Sequence, residues 1–289
     1  MKSTRQAFGE ALLAIDSSHI ICLDADLSKS TMTYAFSKKF PERHLQMGLQ
    51  EANMIGVAAG IANTGKTTIV CSFACFLTGR FDQIRMSIAY NQSPVILIGT
   101  HSGIAVGEDG YSQMSLEDIA LMRSLPGMTI FQPSQASEVQ KILERAILLK
   151  SPVYIRLTRQ ALKEYSQDIN PFKLNTIKEG SCKTALVGSG GTLQELMEAN
   201  TNCHIYSLSQ IKPLPDLSEL ESFEKIYIYE DHTIYGGLGS MILDCCPSLR
   251  SKITVIGIQD VFGESGLTQE LYKKHKLDKE SISKKFIGI

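Results

Sequence analysis

"TTIVCSFACFLTGRFDQIRMSIAYNQSPVILIGTH", residues 67–101, decides the fold class. Its ends, "TTIVCSF" (67–73) and "PVILIGTH" (94–101), are short, β-branched and almost continuously apolar, as strands covered on both faces are. A stretch of helical spacing, 76–91, lies between them. Strand, helix, strand with both strands fully apolar predicts a parallel βαβ unit. Working outward, "HIICLDADLS" (19–28), "MTIFQP" (128–133) and "PVYIRLT" (152–158) read as further buried strands. Helical patterns fall at 3–14, 51–62, 115–124 and 136–149, with Ser115 and Asp118 spaced for a capping box. The same alternation restarts in "KTALVGSGG" (183–191), "CHIYSLS" (203–209), "EKIYIYED" (224–231) and "KITVIGIQD" (252–260). The expected class is α/β with two domains, each a mostly parallel sheet flanked by helices. Residues 1–165 form the first domain and 181–289 the second; 166–180, polar and without period, is expected to be a linker.

The chain has 289 residues, is 43% hydrophobic and carries a formal net charge of −1, with its cations scattered. This suits a full apolar core and argues against nucleic acid or an anionic membrane as main partner. No apolar stretch approaches the ~20 residues of a membrane helix. "MKSTRQAFGEALLAI" reads as an amphipathic helix rather than a signal peptide. The seven cysteines are odd in number and include no C-x-x-C pair, so reduced thiols and a cytoplasmic location are expected.

Several positions could carry chemistry. The Gly-rich loop 100–115 follows a strand and holds His101, Glu108 and Asp109. It lies where parallel sheets bind ligands, although Asp and Gly turn chemistry would also account for its composition. "GSGG" (188–191) lacks the full dinucleotide-binding spacing and reads as a tight turn. Phe73 and Phe76 are spaced either for a core or for stacking on a ligand. His232 reads equally as structural or as a site residue, and no ligand-spaced cluster suggests a metal. Glu51 heads a helix of small residues, Ala52, Gly56, Ala58, Ala59, Gly60 and Ala62. It is either an acid favoured by the helix dipole or an acid/base group at a tightly packed interface.

Taken in order, these pieces resemble the C-terminal half of transketolase over essentially the whole chain. "MGLQEANMIGVAAG" resembles the family's catalytic-glutamate segment, and "SFACFLTGRFDQIRMS" its aromatic segment. "GEDGYSQMSLEDIALMRSLPGMTIFQPSQASE" follows the family signature, and "IRLTRQ", "IKPL", "YEDHTIYGGLGS" and "DVFGESG" continue it. The resemblance implies a pyrimidine-binding domain, then a transketolase C-terminal domain. It also implies a transferase that moves a two-carbon ketol unit from a ketose to an aldose with thiamine diphosphate as electron sink. Glu51 matches the catalytic glutamate that bonds the pyrimidine nitrogen. Phe73 and Phe76 match the aromatics flanking that ring, and Asp26 a cofactor-side acid. Arg5, Ser30, His101 and Arg159 match a phosphate-binding group, and Asp109 an acid that reads a sugar hydroxyl.

The chain departs from the family at Gly79, where a third aromatic is usual, and at Tyr111-Ser112-Gln113, where Pro-Thr-His or a near variant is usual. Gln113 can neither carry charge nor trade protons as histidine does, which bears on the choice of sugar. The family's GDG motif and downstream Asn, which bind diphosphate and Mg²⁺ on a preceding domain, have no counterpart here. The resemblance therefore implies one subunit of a split transketolase. Its partner would be the N-terminal subunit with the diphosphate-binding domain, the assembly α2β2, and helix 52–62 a packing surface. Other readings of the same sequence are a chain similar to 1-deoxyxylulose-5-phosphate synthase or to a 2-oxoacid dehydrogenase β chain, or a non-catalytic assembly subunit.

Overall fold

The computed structural model describes residues 1–15 and 18–287. A short antiparallel ladder, β1 (Lys2–Ser3) with β8 (Ala161–Leu162), ties the start of the chain to the end of the first domain. The first domain's sheet holds β2 (Ile20–Asp24), β3 (His44–Gln46), β4 (Thr67–Phe73), β5 (Val95–Thr100), β6 (Thr129–Phe131), β7 (Val153–Arg156) and β12 (Gln210–Lys212). Their spatial order is β12-β6-β7-β5-β4-β2-β3, and every pairing is parallel except that of β12 with β6. The second sheet holds β9 (Leu174–Lys178), β10 (Thr184–Gly188), β11 (His204–Leu208), β13 (Lys225–Thr233) and β14 (Ile253–Ile258), ordered β14-β13-β10-β11-β9, with β9 alone antiparallel.

In the first domain the helices are α1 (Thr4–Ala14), α2 (Ser28–Thr31), α3 (Tyr34–Lys39), α4 (Glu51–Ala62), α5 (Ala74–Thr78), α6 (Phe81–Gln83), α7 (Asp118–Arg123) and α8 (Ala136–Leu149). The second domain has α9 (Gly191–Glu198), α10 (Leu238–Cys245), α11 (Thr268–Lys274) and α12 (Lys279–Lys285).

Every residue of β4 and β5 is buried, and the two-residue period of a strand divides them between two cores. Val70, Val95 and Leu97 face α4 and join Met54, Ile55 and Ala58. Ile69, Cys71, Ile96 and Ile98 face the other way and join Phe8 and Leu12 of α1 with Ile142 and Leu143 of α8. The α4-side core runs on into the second domain through Val187, Tyr206, Ile226 and Ile228. The two domains are thus packed on a shared apolar layer.

Four local expectations change. The segment 166–180 is not only a connection: Leu174–Lys178 forms β9, an edge strand whose half-buried or exposed residues give no apolar run. β12 crosses back from beyond the second domain's start to close the first sheet, and three residues are too few to signal a strand. The helix expected at 76–91 breaks at Gly79–Arg80 and resumes as α6 and a π-helical turn, Ile84–Ala89. Apart from proline, Gly is the residue whose helical conformation costs most, about 1 kcal/mol relative to Ala. The capping box at Ser115 does not form: α7 starts at Asp118 with Glu117 at its cap, and the buried Ser115 hydroxyl has no partner. Asp118 is instead committed to Arg156 and Tyr154.

Candidate active site

In a parallel sheet all strands end on one edge, and helices that return to the next strand start there. That topology gathers the residues singled out in the sequence. Asp26 and Ser30 follow β2, and Glu51 starts α4 after β3. Phe73 ends β4, and Phe76 lies in α5 behind it. His101, Asp109 and Gln113 follow β5, Arg159 follows β7, and Arg5 lies in the first turn of α1, which leads into β2. β7, β5, β4, β2 and β3 are consecutive neighbours, so these groups line one continuous rim.

The aromatics stack. Phe73 and Phe76 have ring centroids 5.4 Å apart and planes 7° from parallel. His101 lies on Phe73 at 3.7 Å. Glu51, 9% exposed, is the first residue of α4, whose cap, Gln50, makes no side-chain bond. None of the hydrogen bonds among the described residues uses the Glu51 carboxylate.

A cationic group sits beside the aromatics. Arg5 donates from Nη1 to the Ser30 carbonyl (2.9 Å) and approaches His101 Nε2 at 3.1 Å. Arginine only donates, so Nε2 is the acceptor and the proton sits on Nδ1. That N–H faces Thr100 Oγ1 at 2.9 Å, and the threonine hydroxyl in turn donates to the Ser72 carbonyl at 3.3 Å. Burial lowers His101 to about 3, helped by the charges of Arg5 and Arg159, so its ring is neutral. Burial and Arg159 also lower Arg5 from its ordinary value. The buried Arg5 Nε has no partner. Arg159 Nη1 donates to Asp109 Oδ2 (2.6 Å) and to the Val106 carbonyl (3.3 Å). Two neighbouring guanidiniums, one with an idle buried donor, suit a dianionic group.

Asp26 is exposed and holds a left-handed backbone, φ 63°, with its amide on Gln46 Oε1 at 2.7 Å. Two residues earlier, Asp24, which the sequence motifs do not mark, holds the segment that follows. That fully buried carboxylate accepts from the Leu27 amide (2.6 Å) and from the hydroxyls of Thr31 (2.7 Å) and Thr33 (3.0 Å). "DLSKSTMT" after a buried acid is the signal that could have marked it: a carboxylate followed by hydroxyls able to satisfy it.

Gln113 is half-buried on the turn Tyr111–Gln113, apart from the cationic group's hydrogen bonds. His232 is structural: it is fully buried, Nδ1 donates to the Thr233 carbonyl (2.6 Å), and Nε2 faces the Ala120 amide (3.4 Å). The 188–191 turn packs on the first domain, with Gly190 N–H donating to Ser134 Oγ at 3.0 Å. Gly56 and Gly60 of α4 are exposed, and a Cβ on either would meet nothing within 4 Å. They pack on no backbone among the described residues. Among the described residues, no group of three or more His, Cys, Asp or Glu could hold a metal ion.

Comparison with known proteins adds the family. Residues 1–164 match the transketolase pyrimidine binding domain, and 173–282 match the transketolase C-terminal domain. The chain belongs to the transketolase family. Among its relatives is a putative transketolase C-terminal section of Methanocaldococcus jannaschii, 36% identical over 99% of this chain and 96% of the relative. One of the subunits of the apulose-4-phosphate transketolase of Phocaeicola vulgatus is 30% identical over 98% of this chain and 96% of its own length. Human transketolase is 33% identical, but this chain spans only 49% of it. Among solved structures, a split-gene transketolase described as an inactive β4 tetramer superposes with a TM-score of 0.86. It is 35% identical, with 98% of this chain and 97% of that one covered. The family is thiamine-diphosphate-dependent, and this member corresponds to the C-terminal subunit of split transketolases.

Proposed function

We propose that this chain is the pyrimidine-side subunit of a split transketolase that moves a two-carbon ketol unit between phosphorylated sugars, acting only with a partner that holds the diphosphate and Mg²⁺. One observation carries the reading: a single rim of the sheet combines an uncommitted buried carboxylate, a stacked aromatic pair and a pair of guanidiniums.

These residues fit the group the family uses. Glu51 can hold a proton against the ring nitrogen of a pyrimidine, since no donor among the described residues competes for its carboxylate. Phe73 and Phe76 give that ring apolar faces and keep water from it, and Asp26 stands on the cofactor side of the rim. When bound, thiamine diphosphate supplies an electron sink for cleaving the bond between two sugar carbons. Arg5, Ser30, His101 and Arg159 grip the sugar phosphate, with Arg5 Nε as the idle donor. Neutral His101 takes part as a hydrogen-bonding group rather than a charge. Asp109, paired with Arg159, reads a sugar hydroxyl, and Gln113 stands at the family's histidine position and influences which sugar is taken.

The relatives of matching length named as a C-terminal section and as a subunit, and the β4 relative described as inactive, support a separate partner. The open outer face of α4, with Asn53, Gly56 and Gly60 exposed, suits close packing of that partner or of a second copy in an α2β2 assembly.

Glu51→Gln tests the reading in the assembled pair. Ketol transfer should fall by about 10²-fold or more, the scale of acid–base catalysis, with assembly unchanged on size-exclusion chromatography. Rates near wild type would refute the role given to Glu51.

A further inference from the structure

The loop that carries Asp109 is fastened largely from the other domain. It begins with bonds inside the first domain: the Ser102 amide and hydroxyl both donate to the Leu157 carbonyl (3.3 and 2.9 Å), and the Gly103 amide donates to the Ser115 carbonyl (3.0 Å). From Ile104 onward the C-terminal domain takes over. The Ile104 amide donates to Asp231 Oδ1 at 2.8 Å, and the Thr268 hydroxyl donates to the Ala105 carbonyl at 3.4 Å. Ile104, Ala105 and Val106 are buried in the cluster formed by Leu186, Leu193 and Leu271.

Two glycines show how closely the parts meet. At Gly103 (φ +75°) a Cβ would stand 2.1 Å from Asp231 Oδ2, and at Gly110 (φ +79°) 2.5 Å from Ser265 Oγ. Asp231 ends 4% exposed, with its second oxygen accepting from the Tyr272 hydroxyl at 3.2 Å. At the loop's far side, Val106 and Asp109 are the two acceptors of Arg159.

We propose that Asp231 is a positioning residue for the sugar-binding end of the site: through Ile104 it fixes the 104–109 loop, and through that loop the Arg159 guanidinium. The C-terminal domain, which contributes none of the rim residues, thereby takes part in substrate binding. That the ligand is a sugar phosphate rests on the function proposed above; the fastening of the loop does not.

Asp231→Ala leaves the Ile104 amide without its acceptor. In the full chain, amide hydrogen exchange over 104–109 should accelerate about tenfold while β4 and β5 keep their wild-type rates. Asp231→Asn, which retains an acceptor at Oδ1, should stay close to wild type. In the pair assembled with the diphosphate-binding subunit, Asp231→Ala should raise KM for ribose 5-phosphate about tenfold with kcat within about twofold, and Asp231→Asn should restore it. Unchanged exchange in the loop, or an unchanged KM, overturns the proposal. Should Asp231→Ala loosen β4 as well, Thr268→Val, which removes only the bond to Ala105, is read by the same two criteria. A wild-type pair without ketol transfer would count against the proposed function alone, since exchange still decides whether the loop is fastened.

Discussion

His101 shows how far a residue's type is from its state. Histidine beside two arginines suggests a cation in a cationic group, yet the arginine donor at Nε2 and the threonine at Nδ1 fix a neutral tautomer. Burial and the flanking charges lower it to about 3. In an NMR titration of ring resonances, His101 should stay neutral from pH 8 down to 5; a transition near 6.5 would contradict the assignment. The residue types of the rim are legible in the sequence, because Glu51, Phe73, Phe76 and the arginines stand in recognisable segments. Their connections are not. Nothing local in "TRQAF" announces that Arg5 reaches Ser30 and His101, since that contact is made by the sheet's topology. Asp24 stays hidden in the sequence for the same reason: an acid inside an apolar strand gains its meaning from hydroxyls that fold back over it.

Elements follow the same rule. β4 and β5 are readable because both faces are covered, so their whole sequence is apolar. β9 and β12 are not, being an edge strand and a three-residue strand. At the head of α7, the sequence suggests a cap; the fold uses Asp118 to hold Arg156, which donates from Nε at 2.9 Å and from Nη2 to the carbonyls of Ser115 (3.2 Å) and Asp231 (2.8 Å). Both members of this pair are almost wholly buried, so removing one strands the other's charge. Asp118→Ala should destabilise the chain by about 3–5 kcal/mol, as a lower urea midpoint, and a loss below about 1 kcal/mol would show that Arg156 finds other compensation. Because Arg156 reaches Asp231, that loss is shared by both domains.

At the scale of the molecule, four buried groups spread over both domains set the pH response. Burial raises Glu138, which accepts from the Ser209 hydroxyl, to about 7, and Glu230 to about 8, both from 4.5. Between these limits the folded chain holds more protons than the unfolded one, so their contribution is full below pH 4.5 and is lost as pH rises through 7 and 8. Burial lowers His232 to about 4 and His101 to about 3 from 6.5, and their contribution is full above 6.5 and lost as pH falls through 4 and 3. Above pH 6.5 only the carboxylates act. The urea midpoint should therefore drop from pH 6.5 to 8, and less steeply in Glu138→Gln; a midpoint that rises over that interval would contradict the assignment.

In the proposed function the rim is one half of a site. It offers a carboxylate, aromatic faces and an anion grip, and the proposed partner brings the diphosphate and metal. The most direct test mixes this chain, alone and with a co-expressed diphosphate-binding subunit, with thiamine diphosphate, Mg²⁺, a ketose phosphate and an aldose phosphate. Ketol transfer should appear only in the mixture containing both subunits; robust transfer by this chain alone would contradict the account.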